Sequence, residues 1–243
     1  MREKTCLVLG ASQGIGKSIV EYLYHKGYGI VAVARNEKRL RSLVASLGEN
    51  ADYIVADLME SEQIETIFQW SEQHAVKYDA MIYCAGISVS EGVQIIDREN
   101  LNLTMATNAF GFVECAKHFS RKKYSKDGAS IVAISSMSAL DCTEGMCAYS
   151  MSKAAMNAAV ITMSKEFLKR KIRVNAVMPA YVDTEMTIIP EYRNEIIGEL
   201  EKKQPLGIIK PQEIAALAGY LISEESSSVT GALIPVSGGR KKK

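Results

Sequence analysis

Short apolar runs alternate with longer amphipathic stretches along nearly the whole chain. TCLVLG (5–10), GIVAVAR (29–35), ADYIVAD (51–57), YDAMIYCAG (78–86), ASIVAISS (129–136), IRVNAVMPA (172–180) and ALIPVSG (232–238) are apolar almost throughout. Strands covered on both faces read this way, whereas strands with one wet face alternate. Between them the apolar spacing predicts helices near 14–26, 37–47, 61–75, 98–123, 147–170 and 211–222. Strands and helices in alternation wind into a parallel sheet with helices on both faces. The chain is therefore predicted to be α/β: one doubly wound domain over 1–243 around a seven-stranded parallel sheet. One stretch departs from the rhythm. Residues 185–206, EMTIIPEYRNEIIGELEKKQPL, are polar, helical in pattern and flanked by Pro190 and Pro205. They predict a helical insertion that covers a site.

Composition narrows the function classes. Of 243 residues 47% are apolar, and 29 basic residues nearly balance 28 acidic ones. That balance gives no reason to expect a nucleic-acid partner. No run approaches a membrane span and no signal-like apolar stretch precedes the first strand, so a cytoplasmic protein without a membrane partner is expected. The five cysteines are scattered, which predicts neither a disulfide framework nor a metal site. Cys142 and Cys147 read as ordinary pocket lining, and the terminal RKKK as a solvated tail.

The first strand runs into Gly10-Ala-Ser-Gln-Gly14-Ile-Gly16 and then into a helix. Glycines there permit a tight turn, close approach of an anion and close packing of helix on strand, while N–H groups and the helix dipole attract a pyrophosphate. A Rossmann-type dinucleotide site is expected, with Gly10, Ser12, Gln13, Gly14, Ile15 and Gly16 around the pyrophosphate. The second strand ends Ala34-Arg35-Asn36, a guanidinium where an NAD site commonly has a carboxylate. Arg35 thus points to NADP(H). Asp57 and Leu58 at the end of the third strand are expected near adenine, and Cys84-Ala85-Gly86 at the end of the fourth beneath the cofactor.

Ser136, Tyr149 and Lys153 carry the candidate chemistry. Lys153 stands four positions after Tyr149, on the same helix face, where an ammonium favours phenolate over phenol. Tyr149 is accordingly expected to titrate nearer neutrality than an ordinary phenol. Ser136 ends a buried strand, so the three groups are predicted to meet on one carbonyl. Tyr22 and Lys26 share the tyrosine–lysine spacing but have no serine-bearing strand end behind them; that pair reads as an amphipathic helix face.

Together these residues resemble the short-chain dehydrogenase/reductase family over essentially the whole chain. The glycine motif has Leu9 where threonine is usual, the Asn-Asn-Ala-Gly element reads Tyr83-Cys84-Ala85-Gly86, and the Pro-Gly element reads Pro179-Ala180. The resemblance implies Asn108, in TNAFG, as a fourth catalytic residue that anchors a water of the proton relay. It also implies that Pro179 and Thr184 bind the cofactor and that Lys153 holds the nicotinamide ribose. Within the family the chain looks most like 3-oxoacyl-acyl-carrier-protein reductases, which implies carbonyl reduction with Tyr149 as general acid. An acyl carrier protein would then be a partner, docking on Arg121, Lys122, Lys123, Lys126, Lys169, Arg170 and Lys171 at the pocket mouth. Asp141, Thr143, Met146 and Tyr181, with Ser136 and Tyr149, would shape the substrate site. The alternatives are a reductase or dehydrogenase of a small sugar, steroid or secondary metabolite, and a sensor that binds NADP without turnover. Enoyl reductases of related fold use a wider tyrosine–lysine spacing, which disfavours double-bond reduction. The family commonly forms homotetramers, and Ala154, Ala155, Ala158 and Ala159 suit pairing of helices between subunits.

Overall fold

The structure, a computed structural model, describes residues 4–188 and 192–240. Each predicted run forms a strand: β1 (Thr5–Leu9), β2 (Gly29–Ala34), β3 (Ala51–Val55), β4 (Tyr78–Tyr83), β5 (Ser125–Ile134), β6 (Arg173–Pro179) and β7 (Leu233–Val236). They pair in the order β3-β2-β1-β4-β5-β6-β7, parallel throughout. The helices are α1 (Gly14–His25), α2 (Glu37–Leu47), α3 (Ser61–Gln73), α4 (Arg98–Met105), α5 (Gly111–Phe119), α6 (Ser138–Asp141), α7 (Cys147–Glu166), α8 (Arg193–Lys203) and α9 (Pro211–Ile222).

Every residue of β1 and β2 is buried, which accounts for their unbroken apolar sequences. Alternate residues divide between two cores, as the pleat demands. Leu7, Leu9, Val31 and Val33 pack with Phe68 of α3, Phe112 and Phe119 of α5 and Met156 of α7. Cys6, Val8, Ile30 and Ala32 pack with Ile19 of α1, Leu40 of α2 and Ile214 of α9. The sheet is thus doubly wound, as expected.

Two local features depart from the sequence reading. The single helix expected over 98–123 is α4 and α5 joined by a π-helical turn, Ala106–Phe110, and it ends at Phe119. The wider turn covers only five residues and shifts the apolar phase by about one position, too short a disturbance for periodicity to reveal. A buried Tyr83 hydroxyl donates to the Thr107 carbonyl within that turn at 2.6 Å. Such turns often occur at functional sites. The second departure is Arg240, first residue of the expected solvated tail: its side chain is only 13% exposed, because it pairs with Asp141. Residues 241–243 lie outside the described residues, as does Pro190, one flank of the insertion; α8 lies inside that insertion. No described helix is long and apolar enough to cross a membrane.

Candidate active site

Chain connections leave the sheet in opposite directions from β1 and β4, and a crevice opens at the carboxyl ends of such strands. A cavity of about 660 Å³ lies there, a size that suits a small-molecule ligand. Gly10, Ser12, Gln13, Gly14, Ile15, Gly16, Arg35, Asp57, Leu58, Cys84, Ala85, Gly86, Ser136, Tyr149, Lys153, Pro179 and Thr184 all line it. Asn108, Asp141, Met146 and Tyr181 do not.

The turn after β1 is shaped by lack of room. Gly10 has φ +84°, and a Cβ there would stand 2.5 Å from the Ala85 nitrogen; a Cβ on Gly16 would stand 2.0 Å from the Gly10 carbonyl oxygen. Any side chain would push α1 off the sheet. No side chain caps α1 and no acid occupies its first turn, so its N–H groups and positive dipole end are available to an anion in the cavity. Across the cavity the Thr184 side chain comes within 3.3 Å of where a Gly14 Cβ would be. These residues fit a dinucleotide pyrophosphate.

At the far end Arg35 is 63% exposed, with Nη1 3.6 Å from an Asp57 carboxylate oxygen. The other Asp57 oxygen accepts the Met59 N–H at 3.0 Å. Arg39 also lines the cavity, where it donates to Gln13 Oε1 and, at 3.2 Å, to Glu185 Oε2. Arg39 was not singled out from the sequence. Its place in the first turn of the helix after β2, which opens at the same sheet edge as the glycine turn, was the available signal.

Ser136, Tyr149 and Lys153 converge as expected. Ser136 lies two residues beyond β5 and its Oγ accepts the Ser138 N–H at 3.1 Å. Tyr149 and Lys153 project from the first turns of α7. The Lys153 Nζ lies 5.8 Å from the Tyr149 ring centroid and donates to the Ile134 carbonyl at 2.8 Å. Burial lowers Lys153 to about 8. Burial likewise pushes the Tyr149 phenol above its ordinary value, with a hydrogen bond to Ser136 opposing part of the rise. This corrects the expected near-neutral titration: desolvation of the phenolate outweighs the hydrogen bond to Ser136 that opposes it. The Tyr149 hydroxyl is therefore protonated at neutral pH and ready to donate.

Asn108 is fully buried on the π-helical turn. Its Oδ1 accepts the Ile87 N–H at 2.8 Å, and its Nδ2 donates to the Ile87 carbonyl and to Ser152 Oγ, both at 2.9 Å. Its side chain braces the segment after β4 against α7. A Cβ on Gly86 would lie 3.3 Å from Asn108 Oδ1 and 3.4 Å from Lys153 Nζ, so a methyl there would crowd the Asn108 amide slightly and touch the Lys153 ammonium. Burial drives the Cys84 thiol up to about 12, which leaves it a small neutral group.

The basic clusters stand elsewhere. Lys123 precedes β5 and Lys126 is its second residue, whereas Ser136 follows it; the strand bulges after Ser125, where its register against β4 jumps from Tyr78–Ser125 to Ala80–Ser130, and still puts about 20 Å between its ends. Lys123 pairs with Glu72 at 3.0 Å, Lys126 with Asp79 at 2.8 Å and Arg170 with Asp127 at 2.8 Å. These charges hold the opposite edge of the sheet and do not border the pocket mouth.

Fold and site together define a nicotinamide-dependent oxidoreductase acting on carbonyl or alcohol groups. The chain belongs to the short-chain dehydrogenase/reductase family: the family described as Enoyl-(Acyl carrier protein) reductase matches residues 10–241. It is similar to the human 3-oxoacyl-[acyl-carrier-protein] reductase, 29% identical over 98% of each chain. It is also similar to the Caenorhabditis elegans L-xylulose reductase, 31% identical over 98% of this chain and 95% of that one. Among solved structures, a variant of actinorhodin polyketide ketoreductase with NADPH superposes with a TM-score of 0.90 at 25% identity, covering 97% of this chain and 96% of that one.

Proposed function

We propose that this protein reduces a ketone with NADPH, and that its substrate is a 3-oxoacyl thioester on an acyl carrier protein. The observation that carries the reading is that Ser136, Tyr149 and Lys153 meet in the same cavity as the Gly10–Gly16 turn and Arg35. Bound NADPH supplies the hydride. The glycine turn receives the pyrophosphate, and Arg35 with Arg39 gives the 2′-phosphate two guanidinium partners. Ser136 donates a hydrogen bond that polarises the carbonyl, and Tyr149 passes its proton to the oxygen as negative charge develops there. The Lys153 ammonium then favours the phenolate that remains.

Substrate choice rests on the relatives, since the basic clusters do not border the cavity. The L-xylulose reductase relative favours a second reading, a small polyol ketone. Following NADPH and NADH oxidation against acetoacetyl thioesters, sugars and steroids tests both readings. Efficient reduction of free sugars or ketones with no thioester turnover excludes the first. Exposed Phe110, Val113, Met151 and Ile161 on and beside α5 and α7 support a homo-oligomer, which light scattering in solution tests.

A further inference from the structure

Arg240, in the segment after β7, turns its guanidinium inward. Its Nε lies 3.3 Å from Asp141 Oδ2, with the side chains 13% and 9% exposed. Nη2 donates to Thr143 Oγ1 at 3.3 Å, and the guanidinium lies over the Tyr181 ring, 4.7 Å from its centroid. One side chain thus joins three stretches: α6 with its following loop, the segment after β6 and the segment after β7.

Two of these stretches abut the reacting groups. Helix α6 hangs directly on Ser136: the Ser138 N–H donates to Ser136 Oγ at 3.1 Å, Met137 N–H to the Pro179 carbonyl at 2.9 Å and Asp141 N–H to the Met137 carbonyl at 2.9 Å. Tyr181 follows Pro179 and Ala180 of the cavity wall, and its N–H and carbonyl are held by the buried Gln204 amide at 3.0 and 3.1 Å. Neither Asp141 carboxylate oxygen accepts a hydrogen bond among the described residues. Arg240 is therefore the counter-charge that keeps this carboxylate inside. A buried charge that loses its partner moves toward water, and α6 with Ser136 would move with it.

We propose that Arg240 is a positioning residue for the carbonyl site: it ties α6 to the wall after β6 and so fixes the Ser136 hydroxyl against the substrate oxygen. The inference rests on the carbonyl-reductase reading above. A lysine cannot pair, donate and stack together as the planar guanidinium does, so Arg240→Lys is expected to fall between wild type and Arg240→Ala.

The test compares Arg240→Ala, Arg240→Lys and the reversed pair Asp141→Arg with Arg240→Asp, all in the full chain with NADPH and acetoacetyl coenzyme A. Arg240→Ala is expected to raise the thioester KM and lower kcat, with kcat/KM falling at least about tenfold through misplaced reacting groups. NADPH affinity, read by fluorescence titration, should change less than about twofold, because the nucleotide contacts lie elsewhere in the cavity. Hydrogen exchange over residues 138–146 should accelerate, and the reversed pair should recover activity beyond either single change. Activity within about twofold of wild type, unchanged exchange over 138–146, or activity falling in step with NADPH affinity would overturn the proposal. If the wild type turns over no thioester, the functional reading fails by itself. Exchange over 138–146 then decides: acceleration in Arg240→Ala upholds the tie and no change ends it.

Discussion

Lys153→Met removes a buried charge at nearly constant side-chain length, and the structure sets the size and pH dependence of the effect. Burial holds the ammonium at about 8 against an ordinary 10.5. Between those values the unfolded chain binds more protons than the folded one, so stability rises with pH. The charge penalty is fully present below pH about 8 and is relieved as pH climbs toward 10.5. At about 1.36 kcal/mol per unit the shift amounts to about 3 kcal/mol. Linkage leaves nearly all of it in place near pH 7 and under about 1 kcal/mol near pH 10. Methionine does not titrate, and groups common to both proteins cancel in the difference. Wild type should therefore gain about 2–3 kcal/mol on the variant between about pH 7 and pH 10. Urea unfolding without nucleotide, at one protein concentration and several pH values, measures this. A difference that stays constant within about 0.5 kcal/mol across that range would refute the account of Lys153.

Tyr149→Phe should keep NADPH binding while kcat falls by about 10²–10⁴, the share of a general acid; retained turnover would place proton supply elsewhere. Reduction should weaken as pH rises through about 8, where Lys153 loses its charge, and a kcat/KM profile that is flat from about pH 7 to 9 contradicts this. Gly86→Ala brings a methyl to 3.3 Å from Asn108 Oδ1 and 3.4 Å from Lys153 Nζ. It should lower activity with little change in melting temperature, and full activity would show that the two side chains move aside freely. Arg35→Asp should reduce the NADPH-to-NADH preference by about 10–100-fold, the worth of a charged hydrogen bond, as read from the ratio of kcat/KM values.

The sheet was legible in the chain because strands buried on both faces leave continuous apolar runs, and the glycine turn because Gly10 and Gly16 have no room for a side chain. Ser136, Tyr149 and Lys153 were legible because strand end and helix pitch fix their relation in space. Contacts made between distant segments were not. Nothing local to Arg240 announces Asp141, and nothing local to Arg39 announces Glu185. The titration of Tyr149 was misjudged for a related reason: one-turn spacing reveals the cation but not how dry both groups become. The basic clusters are obvious as composition, yet only the course of β5 shows which edge of the sheet they occupy.

The cysteines have a practical consequence. Cys6 and Cys115 are wholly buried and Cys84 is held as a neutral thiol, whereas Cys142 stands exposed immediately beyond α6. Cys147 is only partly exposed, so an electrophilic fluorophore is expected to react at Cys142 first, and the unmodified chain already carries an attachment point whose emission can report, in real time, how the wall behind Ser136 responds when ligands arrive.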